Sequence, residues 1–363
     1  MAIPRVEDID SVSYRLMARC EPACRPYANR ILHPAIAGAV NRILTANEEG
    51  CPSCENISFV LIAIVSSIAF YLCVIPLIRP IRPRWLVLPL LVSPLWWVWG
   101  GNIFLQDMFA AALTAILLLF LRRPGFRPAL ASLVVLFLLQ VTRESTMLLS
   151  LALIALAFCH HRWRLAVGAL MAMALGMVVV AYASKNALPN TNELGGGVYM
   201  VAKAIANGLR NFTGVIPWND GYAAHIPWHY PDPPLWKCTL PAFLQMGNVH
   251  EVGVYKFMPG MVLRTFAFWL LYFPGTIVLM LIRRKGLFRA FAAEFRASPL
   301  YIQYAFVVGA LFWILAPFSG TSIERLVGYA WPLFWVALPA MLCGETGVRP
   351  VFQPAELGGE KIV

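Results

Sequence analysis

The stretch LLQVTRESTMLLSLALIALAF, residues 138–158, is almost wholly apolar, yet Arg143 and Glu144 lie side by side within it. A charge at the centre of a transmembrane helix costs about 2.5–3.5 kcal/mol, and the cost falls toward the helix ends. The charged pair therefore predicts a turn between two membrane-spanning helices. We expect these helices over 127–142 and 144–159.

The composition of the whole chain is that of a membrane protein. Hydrophobic residues make up 60% of the 363 positions and charged residues only 13%, whereas a soluble domain carries about 25% charged residues. We predict an all-α fold, namely a polytopic α-helical membrane protein with about nine transmembrane helices of roughly 20 residues plus interfacial amphipathic helices. The spans are expected at 57–78, 85–101, 103–121, 127–142, 144–159, 163–184, 261–282, 299–317 and 324–343.

The short loops predict the orientation of these spans. Arginine-rich loops follow the first, third, fifth and seventh spans, and the positive-inside rule assigns such loops to the cytoplasm. Since loop arginines account for most of the net charge of +11, we do not expect a nucleic-acid partner. The predicted organisation is an extracytoplasmic segment with an interfacial helix (1–56), spans one to six (57–184), an extracytoplasmic aromatic-rich loop (185–260), spans seven to nine (261–343) and a cytoplasmic tail (344–363).

The N-terminal segment contains four cysteines in a C-x3-C and a C-x2-C arrangement. Four cysteines at such spacings would indicate zinc in a cytosolic protein. Because an extracytoplasmic segment is in an oxidising compartment, disulfides are the favoured interpretation. Three pairings are open to the candidates Cys20, Cys24, Cys51 and Cys54.

The charges within or beside the spans collect at the predicted outer membrane face. Either adjacent pair, Arg143–Glu144 or Glu324–Arg325, could by itself be an ion pair that closes a tight helix turn. The pooling of charge from four separate positions at one depth favours a pocket instead. The acids are Asp107, Glu144 and Glu324, and the arginines are Arg143, Arg264 and Arg325.

Such a pocket suits a lipid phosphate. A guanidinium offers bidentate donors to phosphate and keeps its charge. An acid can act as a general base, or could hold a divalent cation such as Mg²⁺ or Mn²⁺, although no cofactor is established by the sequence. Asp107 is expected within about 4–6 Å of an arginine from another span. Arg143 is expected to bind phosphate, and Glu144 to support Arg264 or Arg325 or to cap the following helix.

Several short stretches carry a family resemblance. EDIDSVSY followed by PYANRILHPAIAGAV, and then GNIFLQDM, TRES and SIERLVGYAWPLF, resemble stretches of the GT-C class of polytopic membrane glycosyltransferases and of related bacterial multi-pass membrane proteins. Such enzymes use lipid-phosphate sugar donors. In that class a transmembrane helix precedes the acid-bearing first loop, and this sequence begins within the loop.

The resemblance implies roles for individual residues. The catalytic base would be Asp10 or Asp8, with Asp10 favoured because a Ser-x-x-Tyr follows it, and Asp107 and Glu144 would be further catalytic acids. The lipid phosphate would be held by Arg143, Arg264, Arg325, Glu324, Arg30 and His33.

The function predicted from these features is sugar transfer from a polyprenyl-phosphate donor to an acceptor on the extracytoplasmic face. The partners would be membrane lipids and that donor, and the location a bacterial inner membrane. A lipid or solute transporter or flippase is one alternative, and a non-catalytic envelope protein is another. Sugar, acceptor, metal dependence and oligomeric state are left open by the sequence.

Overall fold

A computed structural model of the chain describes residues 9–21, 30–45, 52–78, 107–185, 204–205, 207–209, 211–217, 250–252, 255–257, 262–263, 265–271, 287–318, 330, 332–338 and 341. Most of these residues are α-helical. The helices are α1 (Ile9–Ala18), α2 (Leu32–Leu44), α3 (Pro52–Ile78), α4 (Asp107–Arg122), α5 (Phe126–Thr142), α6 (Met147–Cys159), α7 (Trp163–Ala183), α8 (Leu287–Ala297) and α9 (Leu300–Leu315).

Shorter elements lie between and after the helices. Glu144–Thr146 and Ala316–Phe318 form 3₁₀ turns, and Phe266–Leu271 forms a π-helical turn. A three-stranded antiparallel sheet has the order β1 (Val215–Pro217), β3 (Tyr255–Phe257), β2 (His250–Val252). The sequence did not predict this sheet, because each strand has only three residues and periodicity needs a longer run.

Three helices in the described ranges are long and apolar enough to cross a membrane: Glu55–Ile78, Trp163–Ala183 and Leu300–Phe318. The predominantly helical fold is thus confirmed. Helices also occupy the spans predicted at 103–121, 127–142 and 144–159. The predicted span 85–101 lies outside the described residues, and those at 261–282 and 324–343 are described only in part. The count of nine spans stays a prediction.

The helices pack into a bundle through a continuous apolar core. α4 contacts α3, α5 and α9, while α7 contacts α5 and α6, and α6 also contacts α9. Leu117, Leu136, Leu153 and Tyr304, from four of these helices, are fully buried in that core. The outward faces of α3 and α7 are apolar as well, which suits contact with lipid better than contact with water.

Sequence features explain where several helices begin and turn. α3 starts at Pro52, and proline suits a first helical turn because its missing N–H is not needed there. The turn between α4 and α5 passes through Gly125, whose φ of 116° is a conformation that side chains disfavour. α5 stops at Thr142 because Arg143 adopts an extended backbone, with φ −161° and ψ 141°.

The two ends of the bundle differ in their side chains. At one end, the Arg122 end, Arg122 Nη1 donates to the Pro76 carbonyl oxygen at 2.5 Å and lies over the Tyr301 ring. The His160 ring nitrogen Nε2 and Gln303 Oε1 are 2.9 Å apart at the same end, where α6 finishes and α9 begins. The opposite end, the Asp107 end, carries α1, α2, Asp107 and Arg143.

The two ends carry native thiols that report orientation. Cys20, beside α1, and Cys159, at the Arg122 end, are both exposed free thiols. If the predicted orientation is right, a membrane-impermeant maleimide added to reductant-treated spheroplasts labels Cys20 at once and Cys159 only after the membrane is permeabilised. Cys20→Ser and Cys159→Ser identify each signal by mass. Immediate labelling of Cys159 with protection of Cys20 would reverse the orientation.

Candidate functional site

The centre of the candidate site is a buried ion pair between two helix ends. Asp107 is the first residue of α4, and Arg143 directly follows α5. Arg143 Nη1 donates to Asp107 Oδ1 at 2.6 Å. Their side chains are only 10% and 2% exposed, respectively. The arginine from another helix that the sequence predicts near Asp107 is therefore present, well inside the expected distance.

The turn after Arg143 is held by buried polar side chains. Thr146 Oγ1 donates to the Leu139 carbonyl oxygen at 2.7 Å and also contacts the Arg143 carbonyl oxygen. Gln140 Nε2 donates to the Thr146 carbonyl oxygen at 2.8 Å and to Ser150 Oγ at 2.6 Å. These side-chain bonds add to the backbone bonds of the turn and tie it to the end of α5 and the first turn of α6. The turn therefore presents Arg143 in a defined direction, toward α4.

Burial of this pair is not explained by stability alone. Removing two charges from water is costly, and well-packed apolar residues of similar volume often give equal or greater stability. A position at two helix ends, where a membrane protein meets the polar boundary of the bilayer, favours a functional site.

The N-terminal helices cover this end of the bundle. The backbone N–H of Ile31 donates to the Val141 carbonyl oxygen at 3.0 Å, which ties the start of α2 to the end of α5. Arg30 Nη1 donates to the hydroxyl oxygen of Tyr14 at 2.7 Å and so links α1 to the residues before α2. The Tyr14 side chain is fully buried. Both N-terminal helices thereby take fixed places beside the ion pair.

His33, in the first turn of α2, is buried near enough to Asp107 to be influenced by its charge. Its ring packs against Tyr14, Phe59 and Phe109, with centroid distances of 6.3, 5.4 and 5.8 Å. Burial lowers the pKa of His33 to about 4, although the negative charge of Asp107 acts in the opposite direction. The ring is therefore uncharged at neutral pH. If His33 contacts a phosphate as the resemblance implies, it does so as a neutral hydrogen-bonding group.

The sequence-predicted site residues fall into two groups. The structure brings together Asp107, Arg143, Arg30 and His33 at the Asp107 end. For Asp10 and Glu144 the structure describes the backbone alone, Asp10 being in the first turn of α1 and Glu144 opening the 3₁₀ turn. The predictions that lie outside the described residues are Asp8, Arg264, Glu324 and Arg325.

Sequence reasoning missed a second charged cluster beside the first. Glu55, at the start of α3, is 3% exposed. Its carboxylate contacts Arg15 and Arg19, which lie in and just after α1. The signal was present in the sequence, because Glu55 is an acid immediately before a long apolar run, where an unpaired charge would be unfavourable.

Two further predictions concern cysteines and metal. Cys20 is an exposed free thiol, while Cys24, Cys51 and the Cys54 side chain lie outside the described residues, so the disulfides stay predictions. Within the ranges that the structure describes, no group of three or more His, Cys, Asp or Glu side chains is placed to hold a metal ion. The Mg²⁺ or Mn²⁺ site likewise stays a prediction.

No protein-family model, curated protein or solved structure matches the chain.

The ion pair predicts strong coupling between its members. Asp107→Asn or Arg143→Met alone leaves one buried charge without its partner, which typically costs about 3–5 kcal/mol. We expect each single variant to lower the unfolding temperature in detergent clearly. The double variant, which carries both Asp107→Asn and Arg143→Met, should lower it by less than the sum of the two single decreases. Arg122→Met, at the opposite end, is the matched control and should be additive with Asp107→Asn. Full additivity of the Asp107 and Arg143 variants would show that the pair is not coupled.

Proposed function

We propose that this chain is a membrane glycosyltransferase of the GT-C type, which moves a sugar from a polyprenyl-phosphate donor to an acceptor on the extracytoplasmic face. The observation that carries the proposal is the buried Asp107–Arg143 pair at the end of the bundle that also holds α1 and α2. The sequence resemblance supplies the reaction class, and the geometry of the ion pair supports the roles proposed for Arg143 and Asp107.

The bundle suits a lipid-linked substrate. The outward faces of α3 and α7 are apolar, and in the described part of the chain three helices are long and apolar enough to cross a membrane. A polyprenyl chain would lie along such faces, and its phosphate would be at the polar boundary, level with the helix ends. Arg143 lies at a helix end, which is the depth at which a phosphate group is expected.

Arg143 is suited to hold the phosphate of the donor. A guanidinium carries five N–H donors in a plane, and the described bond to Asp107 Oδ1 uses one of them. Asp107 would orient the guanidinium so that phosphate meets it edge-on, the arrangement that permits two parallel hydrogen bonds. Lysine keeps the charge but has no such plane.

The chemical step needs a base and a leaving group. The Asp10 carboxylate would accept the proton of the acceptor hydroxyl while that oxygen forms a bond to the anomeric carbon of the sugar. The bond between this carbon and the phosphate oxygen breaks, and its electron pair stays with the lipid phosphate. Arg143 would stabilise the additional negative charge on that phosphate. Asp10 lies one helical turn before Tyr14, so α1 would bring the base to the site.

Transfer of labelled sugar from a panel of polyprenyl-phosphate sugars, measured in proteoliposomes, tests this proposal. Arg143→Lys should lower turnover by about tenfold to a hundredfold, since the bidentate contact is lost while the charge opposite Asp107 is kept. Asp10→Asn should lower it by about a hundredfold or more, because amides are not bases at neutral pH.

The control for both variants is Arg122→Lys, the same replacement at the opposite end of the bundle, which should transfer sugar like the unmodified protein. Each rate is divided by the amount of folded protein recovered by size exclusion. Equal rates in the unmodified protein, Arg143→Lys and Asp10→Asn would overturn the proposal. Flux of donor lipid between leaflets without sugar transfer would favour a flippase.

A further inference from the structure

The second half of α1, whose side chains the structure describes, packs closely against the neighbouring helices. Tyr14 and Ala18 are buried and pack with Ala37, Phe59 and Ile62 in a small apolar cluster separate from the main core. This cluster joins α1 to α2 and α3. The first turn, which contains Asp10, belongs to the same continuous helix, so a fixed second half also constrains the first turn.

The strongest polar attachment of α1 is to one carboxylate. Glu55 Oε1 accepts from Arg15 Nε at 3.4 Å, and Glu55 Oε2 accepts from Arg19 Nη2 at 2.6 Å. Each oxygen of the carboxylate therefore has an arginine of its own. The hydrogen bond to Glu55 also raises the pKa of Arg19. With two partners about one helical turn apart, Glu55 restrains rotation of α1 about its axis as well as its distance from α3.

A close backbone contact fixes the other side of α1. A Cβ added at Gly38 of α2 would lie 2.3 Å from the carbonyl oxygen of Ala18. Only a glycine permits this approach, so α1 ends directly on the surface of α2. The bond from Arg30 to the Tyr14 hydroxyl adds a third link. The link to Glu55, like the apolar contacts with Phe59 and Ile62, ties α1 to a helix long enough to cross a membrane.

We infer that Glu55 is a positioning residue, whose ion pairs with Arg15 and Arg19 fix α1 and thereby set the place of Asp10 relative to the Asp107–Arg143 pair. The part of this inference that concerns the reaction rests on the proposed function. Glu55 itself takes no part in the chemistry. Its effect is geometric, and a misplacement of about 1 Å in a reacting group can cost a hundredfold in rate.

A purely stabilising role for Glu55 would look different. In that case Glu55→Gln would lower the unfolding temperature and the yield of folded protein, yet the folded fraction would have normal dynamics and normal turnover. A positioning role instead predicts a change confined to α1 in protein that remains folded. Hydrogen–deuterium exchange distinguishes the stabilising role from the positioning role, since it reports local opening segment by segment.

The experiment measures exchange in the full-length protein in lipid nanodiscs. Glu55→Gln should speed exchange of the amides in 9–21 by about tenfold or more, and leave those in 107–122 unchanged. The matched control is Glu21→Gln, which removes the same charge from an exposed acid beside Arg19 and should leave exchange unchanged. If Glu55→Gln does not fold, Arg19→Gln removes the shorter of the two bonds and should give the same result.

Turnover in the same samples tests the link to catalysis. Glu55→Gln should lower kcat per folded molecule by about tenfold or more with little change in KM for the lipid donor, and Glu55→Asp should restore part of the loss. Unchanged exchange in both Glu55→Gln and Arg19→Gln would overturn the inference. Faster exchange with unchanged kcat would overturn its catalytic part. A third outcome separates the inference from the proposed function. If Glu55→Gln speeds exchange in α1 but the unmodified protein transfers no sugar, the positioning of α1 by Glu55 stands and the proposed function is refuted.

Discussion

Two opposite charges buried at one end of an apolar bundle constrain the arrangement of everything near them. Because breaking a buried ion pair is costly, the bond between Asp107 and Arg143 favours keeping the start of α4 and the end of α5 within hydrogen-bonding distance. The helix breaks at Arg143, where this bond is made. Buried Gln140 and Thr146 hold the turn in place through bonds to the Thr146 and Leu139 carbonyl oxygens, respectively.

The N-terminal helices extend this constraint outward. The bond from Ile31 to Val141 ties α2 to the end of α5, and the uncharged ring of His33 packs against Phe59 of α3 and Phe109 of α4. Glu55 then fixes α1 against α3 through a second set of charges. One molecule thus combines two sets of ion pairs at the Asp107 end with apolar faces along α3 and α7. A substrate with a phosphate and a long apolar chain also combines a charged group with an apolar part.

The sequence predicted the parts of this arrangement that depend on local pattern. Apolar runs located the helices, and the adjacent charges at Arg143 located the turn between α5 and α6. The contact of Asp107 with an arginine of another helix followed from the cost of an isolated acid at a helix end. The links of Tyr14 to Arg30 and of Glu55 to Arg19 join residues 16 and 36 positions apart. Such pairings depend on how α1, α2 and α3 pack, so no local pattern could predict them.

The central claim is that the Asp107 end receives a lipid phosphate, and photo-crosslinking tests it most directly. A polyprenyl phosphate with a photoreactive group next to its phosphate would be irradiated with the protein in nanodiscs, and the modified peptides identified by mass spectrometry. We expect crosslinks within 9–45 and 140–147, reduced by competing unlabelled lipid. Crosslinks confined to 122–127 and 160–164, at the Arg122 end, or unaffected by competitor, would contradict it.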